Sequence, residues 1–230
     1  MDDKINTGSS FINTLLGGGY EKGVLTTIYG PAGSGKTNLC LLAMTGFLSG
    51  KKVIYIDTEG SFSVDRIKQI VPEYEQLMSN TIFFKPTNFE EQKELFTKLK
   101  TLIDDSIGLI VFDSVAMLYR LEIGKTNDIY NVNRELGIQL SYLSEIARKL
   151  NLPVLITNQV YSDFENKDQI KMVGGDILKY SSKCLLELQA VNGFRKLILR
   201  KHRSLPEGKQ VIFKIINKGI EEVKEKITPQ

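Results

Sequence analysis

Cysteine and histidine are nearly missing from this 230-residue chain: there are two cysteines, Cys40 and Cys184, and one histidine, His202. The cysteines stand far apart and outside any C-x-x-C or histidine-rich spacing, which excludes a disulfide framework or a zinc finger and fits a reduced, cytoplasmic setting. No apolar run approaches the roughly eighteen residues of a membrane span. The N-terminus, Met1-Asp2-Asp3-Lys4, is acidic where a signal peptide would be basic, so neither export nor membrane insertion is expected. A strong charge imbalance is missing too. Thirty Lys and Arg against 27 Asp and Glu leave +3, too little to require a nucleic-acid partner by bulk charge alone.

What is present fits an ordinary globular chain, 42% hydrophobic and 25% charged. Its length favours one domain over residues 1–230, able to bury about 70% of the surface of the extended chain. Short β-branched runs at 24–29, 53–56, 82–84, 109–112 and 154–157 alternate with amphipathic stretches, the pattern of an α/β protein with a mainly parallel sheet. Helical spacing recurs at Leu136, Leu140, Leu143, Ala147 and Leu150, and at Leu95, Leu99, Leu102 and Ile103. After residue 183 come three strand-like runs, 184–188, 195–200 and 211–215, joined by Asn192-Gly193 and Pro206-Glu207-Gly208. That turn chemistry predicts an antiparallel extension at the sheet's edge. Segments 120–132 and 161–173 are polar and without period, and follow strands at the carboxyl ends where such sheets bind ligands. The charge run 221–230 reads as a solvated, frayed tail, above all 225–230.

Gly30-Pro31-Ala32-Gly33-Ser34-Gly35-Lys36-Thr37 fits G-x-x-x-x-G-K-[ST] between a predicted strand and a predicted helix. Glycines let successive N–H groups converge on phosphates, the helix N-terminus adds its positive end, Lys36 reaches the β and γ oxygens, and Thr37 ligates Mg²⁺. Leu109-Ile110-Val111-Phe112-Asp113 is an apolar strand ending in a carboxylate, suited to hold a water of the Mg²⁺ shell. Ile54-Tyr55-Ile56-Asp57-Thr58-Glu59 ends in two carboxylates. Glu59 stands where a general base would orient water towards the γ-phosphate, and Asp57 is either a rival base or its structural neighbour.

Together with L-I-T-N-Q-V (155–160) and S-L-P-E-G (204–208), these motifs resemble the ATPase core of the RecA-type recombinases, on their archaeal and eukaryotic side. The resemblance runs from about Asn6 to Ile220. It implies a RecA-like P-loop ATPase fold, a mainly parallel sheet flanked by helices with an antiparallel C-terminal extension. Because it begins almost at Met1, it leaves no room for the N-terminal DNA-binding domain and points to the short archaeal RadB branch, paralogues of the recombinase RadA.

Residue by residue, the resemblance implies that Glu59 activates water and that Gln159 senses the γ-phosphate and opens the second DNA-binding loop. It implies that Arg66 stacks on adenine and that Pro206 caps the nucleotide of an adjacent subunit. Lys201 or Arg203 would neutralise phosphate charge across that interface. Contact with DNA, or charge protecting an edge strand, are equal alternatives for this basic run, which also holds Arg195, Lys196 and Arg200. His202 inside it reads as incidental. Segments 120–132 and 161–173 fall where the family's two DNA-binding loops lie. They bring Arg120, Lys125, Lys167 and Lys171, with Arg134 close by, beside Tyr130, Tyr161 and Phe164, cations for phosphates and rings to stack on unpaired bases. The second loop is short for a strand-exchanging recombinase, and Gly124-Lys125-Thr126 replaces a small-residue turn with arginine.

The function these features predict is an ATP- and Mg²⁺-using, DNA-associated ATPase that assists homologous recombination and repair. Expected partners are single-stranded DNA, RadA and further copies of the chain, near the nucleoid in the cytoplasm. The alternatives are a KaiC-like timing ATPase, whose paired glutamates after the second strand are absent here, and a module that holds ATP without turnover.

Overall fold

The structure, a computed structural model, describes residues 3–162 and 170–224. A two-stranded ribbon opens the chain, β1 (Lys4–Ile5) with β2 (Tyr20–Glu21), separated by α1 (Ser10–Leu15). Strand and helix then alternate through β3 (Leu25–Gly30), α2 (Lys36–Met44) with its 3-10 turn (Thr45–Phe47), β4 (Lys52–Asp57), α3 (Val64–Ile70), α4 (Tyr74–Ser79) and β5 (Thr81–Phe84). The alternation continues with α5 (Phe89–Leu102), β6 (Ile107–Asp113), α6 (Met117–Ile123), α7 (Ile129–Leu150) and β7 (Val154–Ser162). Short β8 (Ile170–Met172) and α8 (Gly175–Ser181) precede four last strands, β9 (Cys184–Val191), β10 (Phe194–Lys201), β11 (Gln210–Ile216) and β12 (Gly219–Glu222).

The large sheet runs β12-β11-β10-β9-β3-β7-β6-β4-β5, with β8 attached to β7. From β9 to β5 every pairing is parallel, and from β9 out to β12 every pairing is antiparallel. The parallel strands read mostly apolar because helices cover both faces. Along β4, Val53 and Tyr55 enter the core shared with α1 and α2, while Ile54 and Ile56 enter the core shared with α5, α6 and α7. The α7 stripe Leu136, Leu140, Leu143 and Ala147 is completely buried in the latter. Each such leucine contributes about 1.5–3 kcal/mol relative to exposure. The β9–β10 hairpin turns on Asn192 and Gly193, with φ of 48° and 83°, the pair of positive values a two-residue turn of that hand requires. No helix among the described residues is long and apolar enough to cross a membrane.

Three expectations need correction. Segment 120–132 is mostly helical: α6 runs to Ile123 and α7 begins at Ile129, capped by Asp128 accepting from Asn131 N–H (3.2 Å), so only 124–128 connects them. Buried Leu118, Tyr119 and Val132 anchor both helix ends to the core. In the second segment, Tyr161 and Ser162 extend β7, and Ile170–Met172 pairs back on it as β8. The tail begins later than expected, since Glu221 and Glu222 pair with Lys214 and Phe213 of β11. The expected fraying of 225–230 lies outside the described residues.

Candidate nucleotide site and its surroundings

Register builds the site. Gly30 sits beside Gln159, and Asp57 beside Asp113, so four parallel strands end level at the carboxyl pole of the sheet. The chain leaves β3 through the glycine-rich loop and enters α2 with Gly35 in the left-handed region, φ 104°. The first turn of α2 has neither a capping side chain nor an acidic residue, leaving its amides free for an anion. Gly30 is required for close approach: a Cβ there would stand 2.3 Å from the Leu188 carbonyl oxygen.

Lys36 folds back on its own loop, Nζ donating to the Gly30 and Pro31 carbonyls, each at 2.9 Å. Burial lowers its pKa, while Glu59 and Asp113 act in the opposite direction. Asp113, at the end of β6, is almost completely buried and accepts four hydroxyls. Its Oδ2 accepts from Thr37 (2.7 Å), Tyr55 (2.8 Å) and Ser61 (3.0 Å), and its Oδ1 accepts from Thr157.

The two carboxylates after β4 divide their work. Asp57 Oδ1 accepts from the N–H groups of Glu59 (3.2 Å) and Ser61 (3.1 Å), and Oδ2 accepts from Phe62 N–H (3.2 Å). It is a buried cradle for the loop. Glu59 Oε1 instead accepts from Gln159 Nε2 at 3.0 Å, across the end of the sheet. The Gln159 carbonyl in turn accepts from Val173 N–H (3.1 Å), and Asn158 Nδ2 donates to the Val173 carbonyl (2.8 Å). The base of the second loop is thus tied to the strand that carries Gln159.

These residues fit a nucleoside triphosphate with Mg²⁺. The Ser34 hydroxyl, buried in the loop, has no hydrogen-bond partner, and the α2 amides are uncapped. Among the described residues no group of three or more His, Cys, Asp or Glu is placed to hold a metal ion. A hard cation held by hydroxyls, one carboxylate and phosphate oxygens is the kind that suits such a set.

Arg66, on α3, is bound on every side. Its Nε donates to Asn38 Oδ1 (2.7 Å), Nη1 to Gln69 Oε1 (2.8 Å) and the Asn217 carbonyl (3.0 Å), and Nη2 to the Gly219 carbonyl (2.9 Å). Four of its five N–H groups are used, which leaves its planar faces and one Nη2 N–H to offer.

The basic run separates along β10. Arg195 reaches the phosphate loop, Nη2 donating to the Gly33 carbonyl at 3.1 Å. Lys201 pairs with Leu185, which is level with Thr27 near the start of β3, and its Nζ donates to the Lys179 carbonyl (2.6 Å). Arg203 pairs with buried Glu21 at 2.8 Å. Lys201, Arg203 and Pro206 therefore lie away from the phosphate loop of their own chain. His202, expected to be incidental, has a side chain only 1% exposed, with Nε2 3.8 Å from Glu21.

Arg120 is exposed on α6, Lys125 in the connection after it and Arg134 on α7. Tyr161 is 47% exposed at the end of β7. Burial, and then Tyr161, raise the pKa of Tyr119 on α6. Lys171 belongs to β8, while Phe164 and Lys167 lie outside the described residues. The residues sequence reasoning missed are Tyr55, Ser61, Thr157 and the position of Arg195. Tyr55 and Thr157 stand inside the quoted motifs, but only register aims their hydroxyls at Asp113; Ser61 lies two residues past Glu59, on a loop held by Asp57.

Comparison with known proteins gives a consistent picture. The family model described as Rad51 matches residues 3–223. The "DNA repair and recombination protein RadB" of Methanobrevibacter smithii is 46% identical over 226 residues, covering 94% of this chain and 95% of that protein. The protein of the same description from Thermococcus kodakarensis is 41% identical over 225 residues, covering 95% and 99%. A solved structure described as the crystal structure of the RadB recombinase superposes with a TM-score of 0.81 at 39% identity, covering 96% of this chain and all of that one.

Proposed function

We propose, from the premise that this chain belongs to the Rad51 family and to its RadB branch, that it is a Mg²⁺-dependent ATPase acting on DNA. On this reading it assists the recombinase RadA in homologous recombination and repair. A role in recombination and repair is what RadB relatives are named for. The observation that carries the finer reading is the hydrogen bond between Glu59 and Gln159 beside the phosphate loop. It couples the residue suited to activate water to the strand leading into the second loop.

In this mechanism Lys36 leaves the Gly30 and Pro31 carbonyls and donates to the β and γ oxygens. Thr37 and Asp113 would hold Mg²⁺, which when bound neutralises phosphate charge. Glu59 orients the attacking water and accepts its proton. Gln159 shifts its amide from Glu59 towards the γ-phosphate and carries that change along β7. Arg66 offers a planar face to the base. Lys201, Arg203 and Pro206 serve the nucleotide of a neighbouring copy, their distance from the loop of their own chain being the support for action in trans. Arg120, Lys125, Tyr161, Lys167 and Lys171 contact single-stranded DNA, whose backbone and base faces suit cations and rings.

The test is ATP turnover with and without single-stranded DNA, measured beside sedimentation of the chain alone and mixed with RadA. Turnover stimulated by DNA and co-sedimentation with RadA are expected. A chain that binds neither DNA nor RadA is not an accessory of recombination.

A further inference from the structure

Of the four hydroxyls that Asp113 accepts, only the one from Ser61 comes from neither a strand nor the phosphate loop and its helix. Ser61 Oγ lies 3.0 Å from Asp113 Oδ2 and 3.3 Å from Thr37 Oγ1. The loop is held there from two sides. The N–H groups of Ser61 and Phe62 donate to the buried carboxylate of Asp57, at 3.1 and 3.2 Å. The Phe62 ring packs edge-on against Tyr55 and Phe83, with centroids 5.0 and 4.7 Å away.

A loop serine ordinarily spends its hydroxyl on nearby backbone. This one crosses to a strand 52 residues away, yet the residue stays exposed on the open side of the site. Thr37 and Ser61 both donate to the same carboxylate oxygen, so each keeps lone pairs directed away from it. An octahedral Mg²⁺, about 2.0–2.1 Å from its ligands, sets neighbouring oxygens roughly 3 Å apart. The 3.3 Å between Thr37 Oγ1 and Ser61 Oγ is close to that spacing.

We infer that Ser61 Oγ is a second hydroxyl ligand of the divalent cation, beside Thr37, an inference that rests on the nucleotide reading above. Glu59 precedes it by two residues on the same Asp57-held loop. Cation binding therefore fixes the water-activating carboxylate as well as the phosphates.

The experiment uses the full chain with a non-hydrolysable ATP analogue and Mn²⁺ as a paramagnetic substitute. Mn²⁺ affinity is read by electron paramagnetic resonance, and the water ligands are counted from line broadening in ¹⁷O-water. Ser61→Ala is expected to weaken Mn²⁺ about tenfold, a loss typical of disturbed metal shells, and to add one water to the shell. Analogue binding in chelator stays unchanged. Ser61→Thr restores both values, and it keeps the test decisive should the alanine variant melt early by circular dichroism.

Thr37→Ala separates the two layers of the argument. If the wild-type chain with the analogue binds no Mn²⁺, or Thr37→Ala binds it as tightly, the nucleotide reading fails and takes this inference with it. If Thr37→Ala loses the ion while Ser61→Ala matches wild type in affinity and water count, only the Ser61 inference is overturned. Weaker Mn²⁺ binding by Ser61→Ala without the extra water overturns it too, because a loop merely loosened gives that pattern.

Discussion

At the carboxyl pole of the sheet, the Lys36 ammonium donates to two backbone carbonyls, and Asp113 and Asp57 are satisfied by hydroxyls and amides. At the amino pole, Glu21 is matched by Arg203 at 2.8 Å with His202 closed in beside it. The first arrangement satisfies hydrogen bonds with neutral partners and closes no direct ion pair among these groups. The second cancels charge inside the chain. Charged groups held in place by neutral neighbours stay open to a charged ligand and its counter-ion, whereas a closed ion pair mainly fixes the loop it belongs to. Strand β10 joins the poles: Arg195 touches the phosphate loop, and Lys201, six residues on, is about 20 Å away at the rise of an extended strand.

The sharpest way to break this contrast is to remove one cation from each pole. Lys36→Ala is expected to abolish tight ATP binding by calorimetry, because charge and donor are lost together at the proposed triphosphate position. Arg203→Ala leaves the affinity of an isolated subunit unchanged and lowers its melting temperature, since Glu21 keeps its burial and loses its partner. Wild-type-like affinity in Lys36→Ala would remove the nucleotide site from the carboxyl pole.

Next in size is the division between the two carboxylates. Glu59→Gln should keep nucleotide binding and lower turnover by roughly 10²-fold or more, as loss of a general base does. Asp57→Asn should instead show itself in stability, because three backbone N–H groups lose a charged acceptor. The reverse pattern would mean that Asp57 is the base.

A mixing experiment tests whether the poles meet between copies. A Lys36→Ala chain should restore turnover to an Arg203→Ala chain by presenting its intact amino pole to the partner's loop. No rescue at concentrations where mixed oligomers sediment would return Arg203 to DNA contact or edge protection.

The smallest effect concerns His202. Its Nδ1 accepts from Ser204 N–H (3.1 Å), and burial holds its pKa below 6.5, with Glu21 raising it and Lys4 and Arg203 lowering it. The unfolded chain then binds the proton more readily, so this contribution to stability is complete above about pH 6.5 and declines as the pH falls towards the folded-state pKa. Melting temperatures of wild type and His202→Gln should converge on acidification, and parallel curves would refute the contribution.

Particular residues mark how far the sequence could be read. The glycine-rich loop between β3 and α2 was legible because strand, turn and helix are consecutive, and the parallel strands because burial on both faces writes mostly apolar runs. The start of α7 at Ile129 was not legible, because the residues around its Asp128 cap are polar and without period. Strand β12 was not legible, since Glu221 and Glu222 are strand only through pairing with β11. The split of the basic run along β10 was likewise hidden, because adjacent letters do not say which end of a strand lies beside which loop.

By itself, the sequence determined the family, the sheet of parallel strands and the glycine-rich loop between strand and helix, all carried by residues that are neighbours in the chain. Only the tertiary structure decided which groups surround Asp113. Thr157, Tyr55 and Thr37 lie 44, 58 and 76 residues from it and meet it through the register of β3, β4, β6 and β7. Register is set by the packing of whole strands between two layers of helix, and a shift of one residue would turn the Tyr55 or Thr157 hydroxyl to the opposite face.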